Sequence, residues 1–346
     1  MRISDLGEFP LIDCVADIVA IDRPDIIVGI GDDVAVLDAG GDDWLLAKVD
    51  IQVEGVHFLR EAISPRQLGR KSLAINLSDI AAAGGQPHHA LVSLALPEDT
   101  DVGWVDELYR GLRQEADRFG VAVVGGNMAR SPAWIGVDVF VLGRVHRQHL
   151  LLRSGAQPGD RVLVTGTLGD AAAGLALFWA PSMKVDAAVR EGLLKRHVTP
   201  TPRLAEARVI ARSGLATAMI DLSDGLSSDV IHICDRSQVG VRIWAGRLPI
   251  SQGVRRVASL LDRPSWQLAL EGGEDYELCF TVPPGAAEGM VSTIEQRTGT
   301  RATIVGEILA RSEGRWLVLD GGEERPLEAR GWVHFGCGEL SERKEP

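Results

Sequence analysis

Lysine is scarce in this chain: only Lys48, Lys71, Lys184, Lys195 and Lys344 occur in 346 residues, and none follows a glycine. The phosphate-cradling P-loop needs Gly-Lys-Ser/Thr, so that route to nucleotide chemistry is excluded. The four cysteines, Cys14, Cys234, Cys279 and Cys337, stand at least 45 positions apart. No CxxC metal or redox pair and no disulfide framework follows from that spacing. Basic residues are the minority, 36 against 48 acids, for a net charge of -12. That balance argues against a nucleic-acid surface and against an anionic lipid surface. Long apolar runs are missing too. The charge-free stretch from Ile80 to Pro97 is interrupted by Gly84, Gly85, Pro87, His88 and His89, a mixture no membrane helix carries at its centre. Asp5, Glu8, Asp13 and Asp17 make the first twenty residues wrong for a signal peptide. The expectation is a cytoplasmic protein.

What is present is enough apolar residue, 45%, to build two domains at roughly 100–200 residues each. Short apolar or alternating runs at Ile26–Ile30, Trp44–Val49 and Ala90–Leu96 read as strands. Ser64-Pro65 reads as N-cap and first residue of a helix that runs to Ala83 and stops at Gly84-Gly85. Apolar residues three and four apart from Val102 to Phe119 predict a second helix, ended by Gly120. Val121–Val124 and Trp134–Val145 read as further strands. A turn-rich stretch, Arg153 to Asp160, follows, and the domain boundary is placed just before it: 1–147 and 148–346. Beyond it come a strand at Arg161–Thr165, a helix at Asp170–Trp179, a strand at Thr217–Ile220, a helix from Gly225 to about Arg236, and strands near Tyr276–Val282 and Ala302–Ile308.

The carboxylates are not evenly spread. Gly31-Asp32-Asp33 follows an apolar run, Asp50 ends a strand, and Asp79 lies in an otherwise apolar helix. Asp221 to Gly225 follows another strand, and Gly272-Gly273-Glu274-Asp275 precedes one. Loops at strand ends commonly carry sites, and glycine lets backbone approach a ligand closely. Each motif also has a plain structural reading: Asp32-Asp33 as a polar turn, Asp224 as a helix N-cap, Asp79 on an exposed helix face. Taken together, converging carboxylates are costly without cations, and hard divalent ions that accompany phosphates supply them.

The combination resembles the thiamine-monophosphate kinase family, within the aminoimidazole-ribonucleotide-synthetase-like superfamily. The matching stretches are GIGDDVAVL (29–37), VEGVHF (53–58), KSLAINLSDIAAAGG (71–85), RSGAQPGDRVLVTGTLGDAAAGLA (153–176), KRHVTPTPR (195–203), IDLSDGLSSD (220–229) and GGEDYELCFTV (272–282). The resemblance implies a two-domain α/β (α+β) chain, an amino-terminal domain for metal, nucleotide and dimerisation, and strands there that form a sheet or barrel in a homodimer. It implies Mg2+-assisted in-line phosphoryl transfer from ATP to thiamine monophosphate. By position it makes Asp33, Asp50, Asp79, Asn127, Asp221 and Asp224 metal ligands. Gly125, Gly126, Arg153 and Ser223 fall at its ATP contacts, and His57, Glu274 and Trp332 at its thiamine contacts. No general base is implied: a phosphate acceptor has a second pKa of about 6 and is largely ionised at neutral pH.

The chain departs from the family at two places. Ser-Thr-Asp-Thr becomes Lys48-Val49-Asp50-Ile51, and Gly-Gly-Asp-Thr becomes Gly125-Gly126-Asn127-Met128. Oxygen ligands are lost at what resembles one metal position, and Lys48 brings a cation there; strand alternation alone leaves open which face it occupies. Alternatives are a paralogue with a changed substrate, and a non-catalytic maturation protein of the superfamily acting through a carboxy-terminal cysteine, for which Cys337 would stand nine residues from the end. His88-His89 reads as a surface turn rather than a metal pair, His197 and Arg203 as phosphate contacts or a basic helix end, and Gly166–Gly169 as a phosphate cradle or a common turn before a helix. Trp104, Trp134, Trp179 and Trp244 read as core or interface aromatics.

Overall fold

The computed structural model describes residues 2–335; Cys337 and the polar stretch Ser341–Pro346 lie outside the described residues. Two short helices, α1 (Ile3–Leu6) and α2 (Glu8–Val19), open the chain. The first sheet holds β1 (Ile26–Val28), β2 (Ala35–Leu37), β3 (Asp43–Val53), β4 (Gln86–Leu96), β5 (Ala122–Arg130) and β6 (Gly136–His146), in the order β1-β2-β3-β6-β4-β5. It is open within the chain, with β1 and β5 as its edges.

Between its strands run α3 (Pro65–Ala82) and α4 (Val102–Phe119). Ser64 starts α3 with a capping box: its hydroxyl accepts from the Gln67 N–H while the Gln67 side chain accepts from the Ser64 N–H, satisfying donors the first turn leaves open. Gly84, at φ +72°, turns the chain away just beyond it. Gly69 of α3 and Gly111 of α4 let the two helices cross closely. A Cβ at Gly69 would run into the Leu108 carbonyl, and one at Gly111 into the Arg66 carbonyl.

The second sheet holds β7 (Arg161–Thr165), β8 (Ala218–Asp221), β9 (Val239–Trp244), β10 (Leu278–Val282), β11 (Ala302–Ala310), β12 (Arg315–Val318) and β13 (Glu324–Pro326), in the order β13-β12-β9-β11-β7-β10-β8. Its helices are α5 (Asp170–Trp179), α6 (Ala187–Val198), α7 (Leu204–Ser213), α8 (Leu226–Ser237), α9 (Gln252–Leu260), α10 (Ser265–Glu271) and α11 (Ala287–Thr298). Strands β7, β8 and β10 are apolar on both faces because both are covered. Leu163, Met219 and Phe280 join one core with α7, α11 and the first sheet's buried face, while Val162, Ile220 and Cys279 pack on the opposite side with α8 and α10.

Helix α3 is therefore central, touching β3 and β6 of one sheet and β8 of the other. It is buried along nearly its whole length, with Lys71, Ser72, Asn76, Ser78 and Asp79 enclosed among its apolar residues. The placement of polar groups inside a central helix is what positions the site.

Several expectations change. His88 and His89 lie within β4 rather than in a turn. Trp134 precedes β6, and Trp134 and Trp179 are well exposed. Helix α8 starts after Gly225, not at an Asp224 cap; the Gly225 N–H instead donates to the Asp229 carboxylate at 3.0 Å. No helix among the described residues is long and apolar enough to cross a membrane.

Candidate functional site

The carbonyl ends of β8 and the loop before β2 bring their carboxylates to the polar face of α3. Asp33, Asp79 and Asp221 are all buried, and each offers an oxygen within 4.8 Å of the others. Asp79 is thus not on an exposed helix face. Desolvation and its carboxylate neighbours push it well above the usual range, with Lys48 acting against them. Burial and the Asp33 charge raise Asp221 to about 7. Asp224 is raised by burial to about 6, and Asp32, beside Asp33, likewise to about 6. Such a set is unfavourable alone. It is all oxygen, rigidly held and acidic, which fits a hard divalent ion.

Two side-chain cations already sit among these acids. The Arg153 guanidinium binds Asp33 through Nε at 2.9 Å and through Nη2, while its backbone N–H donates to Asp32 at 3.2 Å. Lys48 Nζ lies 2.9 Å from Asp79 and 3.2 Å from Asp50. The pleat of β3 settles the face. Leu46, Lys48, Asp50 and Gln52 point toward α3, whereas Val49 and Ile51 are exposed on the other side.

Asn127 is not brought to this cluster within the chain. It pairs in register with Ser93, Ser93 with Asp138, and Asp138 with Ile51, so it belongs to the outer row of the sheet, and it is exposed. Gly125 and Gly126 stand beside it on β5. A Cβ at Gly126 would collide with the Val92 carbonyl, so close strand approach by itself demands that glycine.

Across the cluster lies a second group. Glu274 sits at φ +66°, a conformation a non-glycine residue adopts only when its surroundings hold it. The Glu274 N–H donates to the Ser223 carbonyl at 2.7 Å, tying two of the acidic loops together. Its carboxylate meets Lys71 Nζ at 2.6 Å and His197 Nδ1 at 3.0 Å. Burial alone would raise its pKa; Lys71 and then His197 outweigh that and hold it at about 2. His57 accepts the Val53 N–H on Nδ1 at 3.0 Å, and burial and then His334 lower its pKa. The imidazole is therefore neutral, with its proton on Nε2. The His334 ring stands 4.9 Å from His57 and edge-on to Trp332 at 5.9 Å. The Trp332 backbone N–H donates to the Asp224 carbonyl at 3.1 Å, and its side chain is exposed.

Lys71 is the residue that reading motifs missed. The available signal was positional: Lys71, Ile75 and Asp79 follow one another at intervals of four, so the lysine lies on the helix face that carries the acid. His197 turns toward Glu274, and Arg203 is committed to Glu277 through Nε at 2.6 Å and through Nη2. The turn before α5 has its N–H groups taken as well. Asp275 accepts from Gly169 at 2.6 Å and from Ala171 at 3.3 Å, filling the place a phosphate would take.

The AIR synthase related protein N-terminal domain model matches residues 31–145, and its C-terminal domain model matches 157–318. The thiamine-monophosphate kinase of Escherichia coli (strain K12) is 39% identical over 329 residues, 95% of this chain and 98% of the relative. That of Aquifex aeolicus (strain VF5) is 36% identical over 335 residues, 97% of this chain and 100% of the relative. The solved structure of AaThiL complexed with AMPPCP and TMP superposes with a TM-score of 0.82 at 35% identity, covering 97% of this chain and 99% of that one. E. coli HypE, a hydrogenase maturation protein, has a TM-score of 0.70 at 20% identity, covering 93% and 97%, and shares the fold.

Proposed function

Because the chain belongs to the AIR synthase related family, and within it to the thiamine-monophosphate kinases, we propose that it phosphorylates thiamine monophosphate with ATP by direct in-line transfer, giving thiamine diphosphate. It is a phosphotransferase whose acceptor is itself a phosphate. The observation that carries the reading is the buried Asp33–Asp79–Asp221 set at α3, with Glu274 held by Lys71 of the same helix. Magnesium held there would neutralise and align the oxygens of two anions that otherwise repel. Asp33, Asp79, Asp221 and Asp224 would hold it, with Asp50 on the edge that Lys48 bridges. Arg153, Ser223 and the Gly125-Gly126 backbone would orient the nucleotide. On the other side, Glu274 offers a fixed negative charge and Trp332 an aromatic face, both suited to a flat cationic heterocycle. His57, neutral, can donate from Nε2 to a phosphate oxygen.

The reading extends to a cytoplasmic homodimer paired through the first sheet, with the domain division at residues 147 and 148. Val49, Phe140 and Leu91 are neighbours in register on that sheet's outer face, where Val49, Ile51, Leu91 and Val124 are exposed. Contiguous apolar surface of this kind marks an interface. In such a pair Asn127, at the edge strand, would join the nucleotide end of the site. The test is ADP release dependent on thiamine monophosphate, with thiamine diphosphate identified by 31P NMR. ADP release that ignores thiamine monophosphate would remove the proposal.

A further inference from the structure

We infer that Lys48 is a built-in cation that holds the Asp50–Asp79 edge of the site in place of a divalent ion, leaving metal binding to the Asp33–Asp79–Asp221 edge. The inference rests on the metal-dependent reading above and specifies which edge of the site is closed to an ion.

The geometry is that of a bridging cation. A single Nζ lies 2.9 Å from Asp79 and 3.2 Å from Asp50, and the Asp221 charge also acts on it. The Lys48 side chain is only 21% exposed, so the ammonium is enclosed rather than floating at the surface. A magnesium ion would need the same oxygens at about 2.0–2.1 Å, and ammonium and ion cannot both stand between those two carboxylates. Val49 and Ile51 point to the opposite face and offer no side-chain oxygen to the position.

The charge balance agrees. Asp33, Asp50, Asp79, Asp221 and Asp224 face two fixed cations, Lys48 and Arg153, leaving three formal negative charges. Without Lys48 there would be four, and each divalent ion removes two. Lys48 thus does half an ion's work electrostatically. It also blocks the pocket in which a further ion would sit.

The experiment counts ions on the full-length protein with Mn2+ as probe, by EPR and titration calorimetry with a non-hydrolysable ATP analogue present. Lys48→Ser opens the pocket and supplies a hydroxyl oxygen, and should bind about one more Mn2+ per chain than wild type. Lys48→Arg keeps the charge and should retain the wild-type count. In EDTA, Lys48→Ser should melt below wild type and regain its midpoint when Mn2+ is added. An equal Mn2+ count in wild type and a folded Lys48→Ser would overturn the inference, as would an extra ion in Lys48→Arg. Ion counting needs no turnover, so a protein inactive on thiamine monophosphate but showing the added ion would retire the kinase reading and leave Lys48's role intact.

Discussion

Replacing Lys71 by methionine isolates the contact that fixes Glu274. The Lys71 side chain is 1% exposed and Glu274's is 27% exposed, with 2.6 Å between them. Glu274 is held at about 2, against an ordinary 4.5, a difference of about 3 kcal/mol at about 1.4 kcal/mol per unit. Partial exposure makes this an upper figure. The sign follows from the direction: a depressed carboxylate contributes its stability fully above about pH 4.5 and loses it as the pH falls toward 2. At pH 7, Lys71→Met should therefore cost up to about 3 kcal/mol in urea unfolding, since His197 supplies part of the shift. Glu274→Gln should cost a comparable amount, because it leaves the Lys71 ammonium enclosed without its counter-charge. The double variant removes both charges and should be more stable than either single variant, a coupling that only contact between the two produces. In turnover, Lys71→Met should raise the KM for thiamine monophosphate more than that for ATP, since Glu274 loses its anchor at the thiamine side. Strictly additive losses in the cycle, or a Lys71→Met protein as stable as wild type, would refute the argument.

Four further outcomes follow from the same site and frame. Asp221 and Asp224 are raised to about 7 and about 6 by burial first; raised carboxylates bind protons in the folded state, so metal-free stability should fall as pH rises from about 4 to about 7. Urea midpoints in EDTA should be lower at pH 8 than at pH 6, Mg2+ should flatten the trend, and a level EDTA profile would contradict it. Asp79→Asn should lower kcat by at least about a hundredfold through lost transition-state charge stabilisation, while leaving the EDTA melting point equal or higher because repulsion is relieved; near-normal turnover would remove Asp79 from the ligands. Trp332→Ala, at an exposed indole, should raise the KM for thiamine monophosphate and spare that for ATP, and equal changes in both would deny it a stacking role. Ser64→Ala breaks the capping box of α3 and should cost about 1 kcal/mol in urea unfolding with turnover kept; no loss would mean that burial alone sets the helix start.

Much of the frame was legible in the residues themselves. Local chemistry carries its own signal where a cap, a turn glycine and an uninterrupted run coincide. Ser64-Pro65 and Gly84-Gly85 bracket α3, Gly120 ends α4 in the left-handed conformation, and the run Arg161–Thr165 is β7 residue for residue. The acidic motifs beside glycines at strand ends marked the site, because carboxylates there are costly without a partner. Elements with weaker local signals were missed. Helix α2 buries none of its residues, and β2, β12 and β13 are short, so neither periodicity nor length distinguishes them. Tertiary structure alone decided which acids meet. Asp33, Asp79 and Asp221 come from a loop, a helix and a strand, and their convergence depends on α3 lying between two sheets. It also decided the faces. A period of two says that Lys48 and Asp50 share a side and Val49 does not, but only packing against α3 makes that side the site and the other an apolar surface. Lys71 needed both: its helix face was readable, but its meaning came from Glu274, held at positive φ on a distant loop by contacts that no local pattern encodes.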